Sequence, residues 1–440
     1  MSKPLKATIH AVCLGAALAL GTPGNALAVE PTDPVVQALE KKLEQSLKMI
    51  DSLSSRVKEL EAKQAAGAPA AAVPAAAPAA APAAERLQVV EQKVAQIETA
   101  NAARTNDDTG LPIHGFADIN VGNHNPFHPY FKGASLNNLD FYLTPKLGDK
   151  LLSLFELNFE VDSSGNVGVD IERGQIGYQV NQSVTIWGGR FHTPYGYVNT
   201  ALHHGVWLND ALRRPAFLMF EDQGGVLPAH TVGGWVTGAL RGDGGKLNYD
   251  LYAGNGQQII NGIVDMRSGG NEHGRPIYGG RLGYQWTSGA LEGLSLGANA
   301  LDSKITDDQT PQNLTDVRIY GAYGVYDTDQ WEVLSEAYLF DNLNMYNGTG
   351  THRSKAYFAQ VGYRLPLLIP YARYERGLFD QKDQYFAALN SGQSYYRSAA
   401  GLRHDLNLKT ALKFEVANTH YTDRVVGSFN EFLAQLAIRF

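Results

Sequence analysis

From Ile113 to Phe440 the chain is a succession of segments in which apolar and polar residues alternate one by one, and no stretch approaches the roughly 18 consecutive apolar residues of a membrane-spanning helix. Alternation at period two puts one set of side chains on each face of an extended strand. The last segment is the clearest: Phe432, Ala434, Leu436, Ile438 and Phe440 alternate with Leu433, Gln435, Ala437 and Arg439. Elsewhere Ser153, Phe155, Leu157, Phe159 and Val161 alternate with Leu152, Leu154, Glu156, Asn158 and Glu160. Val317, Ile319, Gly321, Tyr323 and Val325 likewise alternate with Arg318, Tyr320, Ala322 and Gly324. Charges recur on one face and aliphatic or aromatic groups on the other, so each strand must meet two different environments.

The connections also alternate. Short ones fall at Pro145–Lys150, Val180–Ser183, Arg241–Lys246, Thr287–Leu291, Tyr326–Gln330, Arg364–Leu367 and His404–Leu408, with longer stretches rich in Gly, Asn and Asp between them. Seven short turns and eight longer loops separate sixteen antiparallel strands. Such a sheet, apolar on one face and polar on the other, fits an all-β transmembrane barrel, because closure leaves no strand edge unpaired in lipid. Sixteen strands enclose a lumen wide enough for water. The composition agrees: 46 Gly, 22 Tyr and 17 Phe stand in a chain that is only 44% hydrophobic, with a mean hydropathy of −0.23.

Ahead of the barrel the sequence changes character. Residues 1–28 read as a secretory signal: Lys3 and Lys6, an apolar run from Ala11 to Leu20, and the small-residue site Ala26-Leu27-Ala28. Cys13, the single cysteine, lies inside that run, so the exported chain is expected to hold no disulfide and no thiolate metal site. Residues 29–64 carry Val36, Leu39, Leu43, Ser46, Ile50, Leu53, Val57 and Leu60 at heptad spacing, the seam of an α-helical coiled coil. Residues 65–84 are an Ala/Pro linker, where proline every four or five residues forbids a continuous helix. A short helix and hinge over 85–111 lead into the barrel of 112–440.

The terminal aromatic strand resembles the closing strand of bacterial outer-membrane barrels. The stretch Gly188–Gly196, GGRFHTPYG, is similar to the strand-to-loop signature of the phosphate-selective porin O/P-like group. That resemblance implies a trimeric diffusion channel in the outer membrane of a Gram-negative cell, in contact with outer-membrane lipid. It also implies a last strand read by the barrel-assembly machinery and an N-terminal segment in the periplasm. Phosphate specificity does not carry over. From Ile113 onward 26 basic and 32 acidic side chains give a net charge of −6, and both signs lie on the inferred inner wall, whereas rings of one sign select strongly.

The longest loop, from His192 to about Pro228, holds Arg213 and Arg214 beside Asp210, Glu221 and Asp222. It reads either as a charged constriction folded into the lumen or as an exposed or subunit-contacting loop. Further pore-lining candidates are Arg281, Arg318, Arg373, Arg397, Glu156, Glu332 and Glu336. His124, His128, His192, His203 and His204 fall in the first and third loops, but loop spacing fixes no coordination geometry, so no metal is expected. No nucleophile elbow, metalloprotease spacing or phosphate loop occurs, so no catalytic residue, cofactor or nucleic-acid partner is expected. The function these features imply is passive diffusion of ions and small hydrophilic solutes with weak selectivity. The alternative is a structural tether whose coiled coil engages another envelope layer.

Overall fold

The computed structural model describes residues 113–123, 133–161, 167–203, 206–220, 224–265, 274–345, 349–389, 392–422 and 427–440. The expected signal, coiled coil, linker and hinge lie outside the described residues, as do Glu221, Asp222, His124, His128 and His204. The strands are β1 (Ile113–Gly122), β2 (Gly133–Leu143), β3 (Leu151–Val161), β4 (Val167–Asn181), β5 (Val184–His192), β6 (His230–Gly242), β7 (Gly245–Asn255), β8 (Gln258–Ile260) and β9 (Ile263–Asp265). They continue with β10 (Pro276–Trp286), β11 (Leu294–Asp307), β12 (Leu314–Asp327), β13 (Trp331–Asn344), β14 (Gly350–Tyr363), β15 (Ile369–Leu378), β16 (Tyr395–Asn407), β17 (Thr410–Tyr421) and β18 (Ser428–Arg439).

Each wall strand pairs antiparallel with its neighbours, and β1 closes on β18 from Phe116↔Arg439 to Gly122↔Leu433. The ring passes from β7 directly to β10, so it contains sixteen strands. The short β8–β9 hairpin stands apart from it, inside the loop after β7, with β8 lying parallel to the end of β11. The fifteen connections alternate in the expected order. However, the turn expected at His404–Leu408 falls at 408–409, and two of the eight expected longer ones, 162–166 and 345–349, have only five residues. The tightest are two-residue turns such as Asp243-Gly244.

The last strand shows how the faces are assigned. Glu431, Leu433, Gln435 and Ala437 are buried inside, while Phe432 is exposed on the outer wall. Phe440 exchanges backbone hydrogen bonds with Gly115 at 3.0 and 3.1 Å, and its ring meets Phe141 edge-on at 5.8 Å. A Cβ at Gly115 would overlap that ring, so this glycine is the seat of the terminal aromatic. Gly115→Val is expected to displace Phe440 and destabilise the closed seam by about 1–3 kcal/mol, the usual cost of overpacking. Heat-modifiable gel mobility measures this; an unchanged melting temperature would rule the contact out as a determinant of closure.

One expected lumen residue lies on the other face. Val317 and Ile319 form the buried side of β12 and belong to one cluster with Tyr338 and Phe340. Arg318 therefore points outward, 46% exposed, with Asp302 and Asp316 as its ion partners. The outer wall of neighbouring strands carries similar pairs, Lys304–Asp316 and Arg353–Asp341. These lie toward the long-loop ends of their strands.

The apolar core is inside the barrel. Phe191, Leu301, Ile305, Val317, Ile319, Phe340 and Phe358 on the inner wall cluster with Tyr195, Val198, Phe217 and Leu227 from the third loop. Tyr385 and Phe386, from a short helix in the loop after β15 (Gln384–Ala387), complete the cluster. The lumen is thus partly filled by its own loops rather than polar throughout.

Candidate functional site

The third loop enters the lumen as a continuation of its own hairpin. His192 pairs with His230, and Thr193 donates its N–H to Ala229 at 2.8 Å, so the two roots stay zipped as they leave the wall. The Asn199 side chain fastens both from within, donating to the carbonyls of Thr193 and Ala229 at 2.9 and 3.0 Å. At Gly196 the chain turns with φ +55°, and a Cβ there would overlap the Glu336 carboxylate and the Tyr338 hydroxyl. Glu336 accepts from the N–H groups of Tyr197 and Val198 at 2.8 and 2.6 Å, while Gly196 donates to Asn299 on β11 at 3.1 Å. The first quarter of the loop is thereby held to β11 and β13. Burial, followed by the nearby charges of Asp327 and Glu332, pushes the Tyr197 phenol above its ordinary value.

The loop then crosses to β15–β18. The Lys413 ammonium donates to the carbonyls of Val206 and Asn209. Arg403 donates to Trp207 and Asn209 and pairs with Asp210 at 3.3 Å. Arg373 donates to the Arg213 carbonyl at 2.6 Å, and Glu375 accepts from Ala216 N at 2.5 Å. Arg214 is buried and bonds to the Leu218 and His203 carbonyls and to Asn199. Arg213 pairs with Glu431 at 2.5 Å. On the return, the Tyr385 hydroxyl donates to the Val226 carbonyl at 2.6 Å, linking the two inward loops. Asp383 caps the helix of that second loop by accepting from Tyr385 N at 3.0 Å, and burial raises its carboxyl above the ordinary range.

Behind this crossing lies a compact charge array. Arg397 contacts three buried carboxylates at once: Glu375 at 3.0 Å, Glu415 at 2.8 Å and Glu431 at 3.3 Å. A planar guanidinium with five donors is suited to such sharing. Arg281, on the opposite wall, pairs with Asp250 at 2.7 Å and also donates to Gly196 O and Thr200. Glu156 pairs with Arg173. Glu332 stands at the short-turn rim, paired with Arg364 at 3.0 Å.

Two cavities flank the loop. One of about 330 Å³ lies between Tyr197–Ala201 and the short-turn ends of β7 and β10–β12, lined by Arg281, Asn248, Gln285, Ser295 and Asp327. A narrower one of about 70 Å³ runs between Arg213, Arg214 and Phe220 of the loop and Asn120, Asn138 and Gln435 of the wall. The structure thus places Arg213, Arg214, Asp210, Arg373, Arg397, Glu336 and Arg281 in one array around the loop. It sets Glu332 toward the short-turn rim, where its carboxyl meets Asp210 of the loop, and Arg318 outside.

Sequence reading did not single out Glu431, whose partner Arg213 is 218 residues away, nor His230 and Glu172 at the root of the loop. The His192, His203 and His230 rings converge: ring centroids are 3.5 Å apart for His192–His203 and 4.7 Å for His203–His230. His230 Nε2 lies 2.7 Å from Glu172, and His192 Nε2 lies 3.4 Å from Glu156. The signal available was the register itself, since His192 and His230 are the last and first residues of the strands flanking the loop.

No protein-family profile matches the sequence, and no curated protein matches it. Solved structures do match the fold. An anion-selective porin from Comamonas acidovorans aligns over 75% of this chain and 98% of its own, with a TM-score of 0.50 and 14% identity. The outer-membrane channel DcaP of Acinetobacter baumannii aligns over 75% of this chain and 97% of its own, with a TM-score of 0.51 and 15% identity. Residues 113–440 therefore have the fold of outer-membrane porins, a closed sixteen-stranded barrel with loops folded into its lumen.

Proposed function

We propose that the protein is an outer-membrane channel through which ions and small hydrophilic solutes diffuse passively, with weak selectivity between anions and cations. The observation that carries this reading is the closed sixteen-stranded barrel whose third loop is fastened across the lumen, with cavities on either side of it, the larger lined mainly by polar and charged groups. Such a site positions permeating ions without reacting with them; its charged groups hold the loop and set the local field. Weak selectivity follows from pairing: Arg397, Arg213, Arg281 and Arg403 each face carboxylates at 2.5–3.3 Å, so neither sign dominates the wall.

Three further elements belong to this reading. Phe440 at the seam supports recognition of the last strand by the barrel-assembly machinery. The heptad seam of residues 29–64 supports association in the periplasm, with a trimer as the assembly. It also supports the second reading, a tether to another envelope layer. Deleting residues 29–84 separates the two: loss of envelope attachment with intact conductance favours the tether.

The channel is tested with the full-length protein in planar bilayers. Stepwise ohmic conductance is expected, with a reversal potential near zero in a salt gradient, whether chloride or phosphate is the anion. Inserted protein that conducts nothing would overturn the channel, and a potential close to the limit for either ion would overturn weak selectivity.

A further inference from the structure

We propose that His192, His203 and His230 form a binding site for a divalent transition cation of the zinc or copper type at the root of the inward loop. One ring nitrogen from each lies within 4.8 Å of one from each of the others, and all three residues are buried. They come from three separate places: the end of β5, the start of β6 and the loop interior after the short helix Val198–Ala201. Two are therefore fixed by strand register, and the third is brought to them by the path of the loop.

The chemistry of the donor set fits. Neutral imidazoles suit zinc, copper and nickel, and three of them with an open position make a common first shell. The surroundings supply what such a shell needs behind it. Glu172 lies 2.7 Å from His230 Nε2 and Glu156 lies 3.4 Å from His192 Nε2, while His203 Nδ1 lies 2.9 Å from the Asn199 side-chain oxygen. A ligating histidine ordinarily gives its other ring N–H to a carboxylate or carbonyl, which fixes the ring and raises its basicity. Glu156 and Glu172 stand where they can do this or provide a fourth ligand.

Metal binding requires a small contraction. Ligand nitrogens sit about 2.0–2.1 Å from zinc, so two of them stand no more than roughly 4.2 Å apart. The rings of His192 and His203 now lie face to face, 17° from parallel, so one of them must tilt. The bound ion would staple the two roots of the loop to its interior. It would also place positive charge at the edge of the cavity that His203 lines with Arg213 and Arg214. Binding does not depend on whether solutes pass through the barrel.

The test uses untagged full-length protein in detergent, stripped with chelator and titrated with Cu²⁺ or Zn²⁺. One saturable site per chain is expected by calorimetry, and the copper-loaded protein should show an electron paramagnetic resonance spectrum with several equatorial nitrogens. His203→Gln and His230→Gln should each weaken binding tenfold or more, while His352→Gln, on β14 beside Asp380, should not. Absence of a saturable site, or equal binding in the His192→Gln, His203→Gln, His230→Gln triple variant, would overturn the proposal. Should the variants fail to fold, the wild-type copper spectrum still decides: ligation by a single nitrogen would overturn it.

Discussion

Arg397→Leu is expected to release the second half of the inward loop and to make the lumen more cation-preferring. Glu375, Glu415 and Glu431 are all buried and share this one guanidinium at 2.8–3.3 Å. Removing one member of a buried ion network leaves uncompensated charge and costs about 3–5 kcal/mol. The loss reaches the loop because two of these carboxylates also hold it: Glu375 accepts from Ala216 N and Glu431 pairs with Arg213. Single-channel recording should therefore show larger, noisier steps, and a salt gradient should give a reversal potential displaced toward the cation limit. Arg397→Lys should fall between, since an ammonium cannot serve three carboxylates as a planar fork does. If Arg397→Leu leaves conductance, reversal potential and melting temperature unchanged, the array does not hold the loop.

The first half of the loop has a separate fastening, and Gly196→Ala is expected to undo it. Residue 196 sits in the left-handed region at φ +55°, which costs a side-chain-bearing residue about 1–2 kcal/mol. The new methyl would overlap the Glu336 carboxylate and the Tyr338 hydroxyl, so the loop must lift off its wall or those side-chain ends must give way. Lifting breaks the bonds from Tyr197 and Val198 to the Glu336 carboxylate, each worth about 1.5–3 kcal/mol as hydrogen bonds to a charged group. Thr200, half-buried and facing Arg281 beside the larger cavity, then becomes more accessible. In a Thr200→Cys background, labelling by a membrane-impermeant thiol reagent should accelerate by roughly tenfold for every 1.4 kcal/mol lost. Cys13, the chain's only cysteine, is replaced by serine in the same background, so that the introduced thiol is the one labelled. Equal labelling rates with glycine or alanine at 196 would show that this turn does not anchor the loop.

The wall of the barrel was legible because its information is local. Alternation at period two assigns both faces of β18 from twelve residues, and turn pairs such as Asp243-Gly244 mark the strand ends without knowledge of what lies opposite. The same rule failed at Arg318, because alternation separates two faces without saying which is inside. Toward the loops both faces carry charge, and only the packing of Val317 and Ile319 against the interior decides. The inward loop was legible as a long loop with paired charges, but its partners were not. Arg213 finds Glu431 and His192 finds His230 through register and closure of the whole ring, and these cannot be read from a single segment. The same holds for the extra β8–β9 hairpin, three residues a side, too short for alternation to announce.

The distances along the chain between the loop and its anchors bear on the order of events during folding. Gly196 is bound by a residue 103 positions later, Lys413 holds the loop from 207 positions away, and Glu431 from 218. Before β11 forms, Arg281 on β10 is the wall residue that can hold the loop, and contacts of such long separation are the slow ones. A chain stalled before its last two strands would thus carry an open seam and a loop still lacking its fastenings to Lys413 and Glu431. In this protein, the strands that seal the wall also complete the fastening of the inner loop.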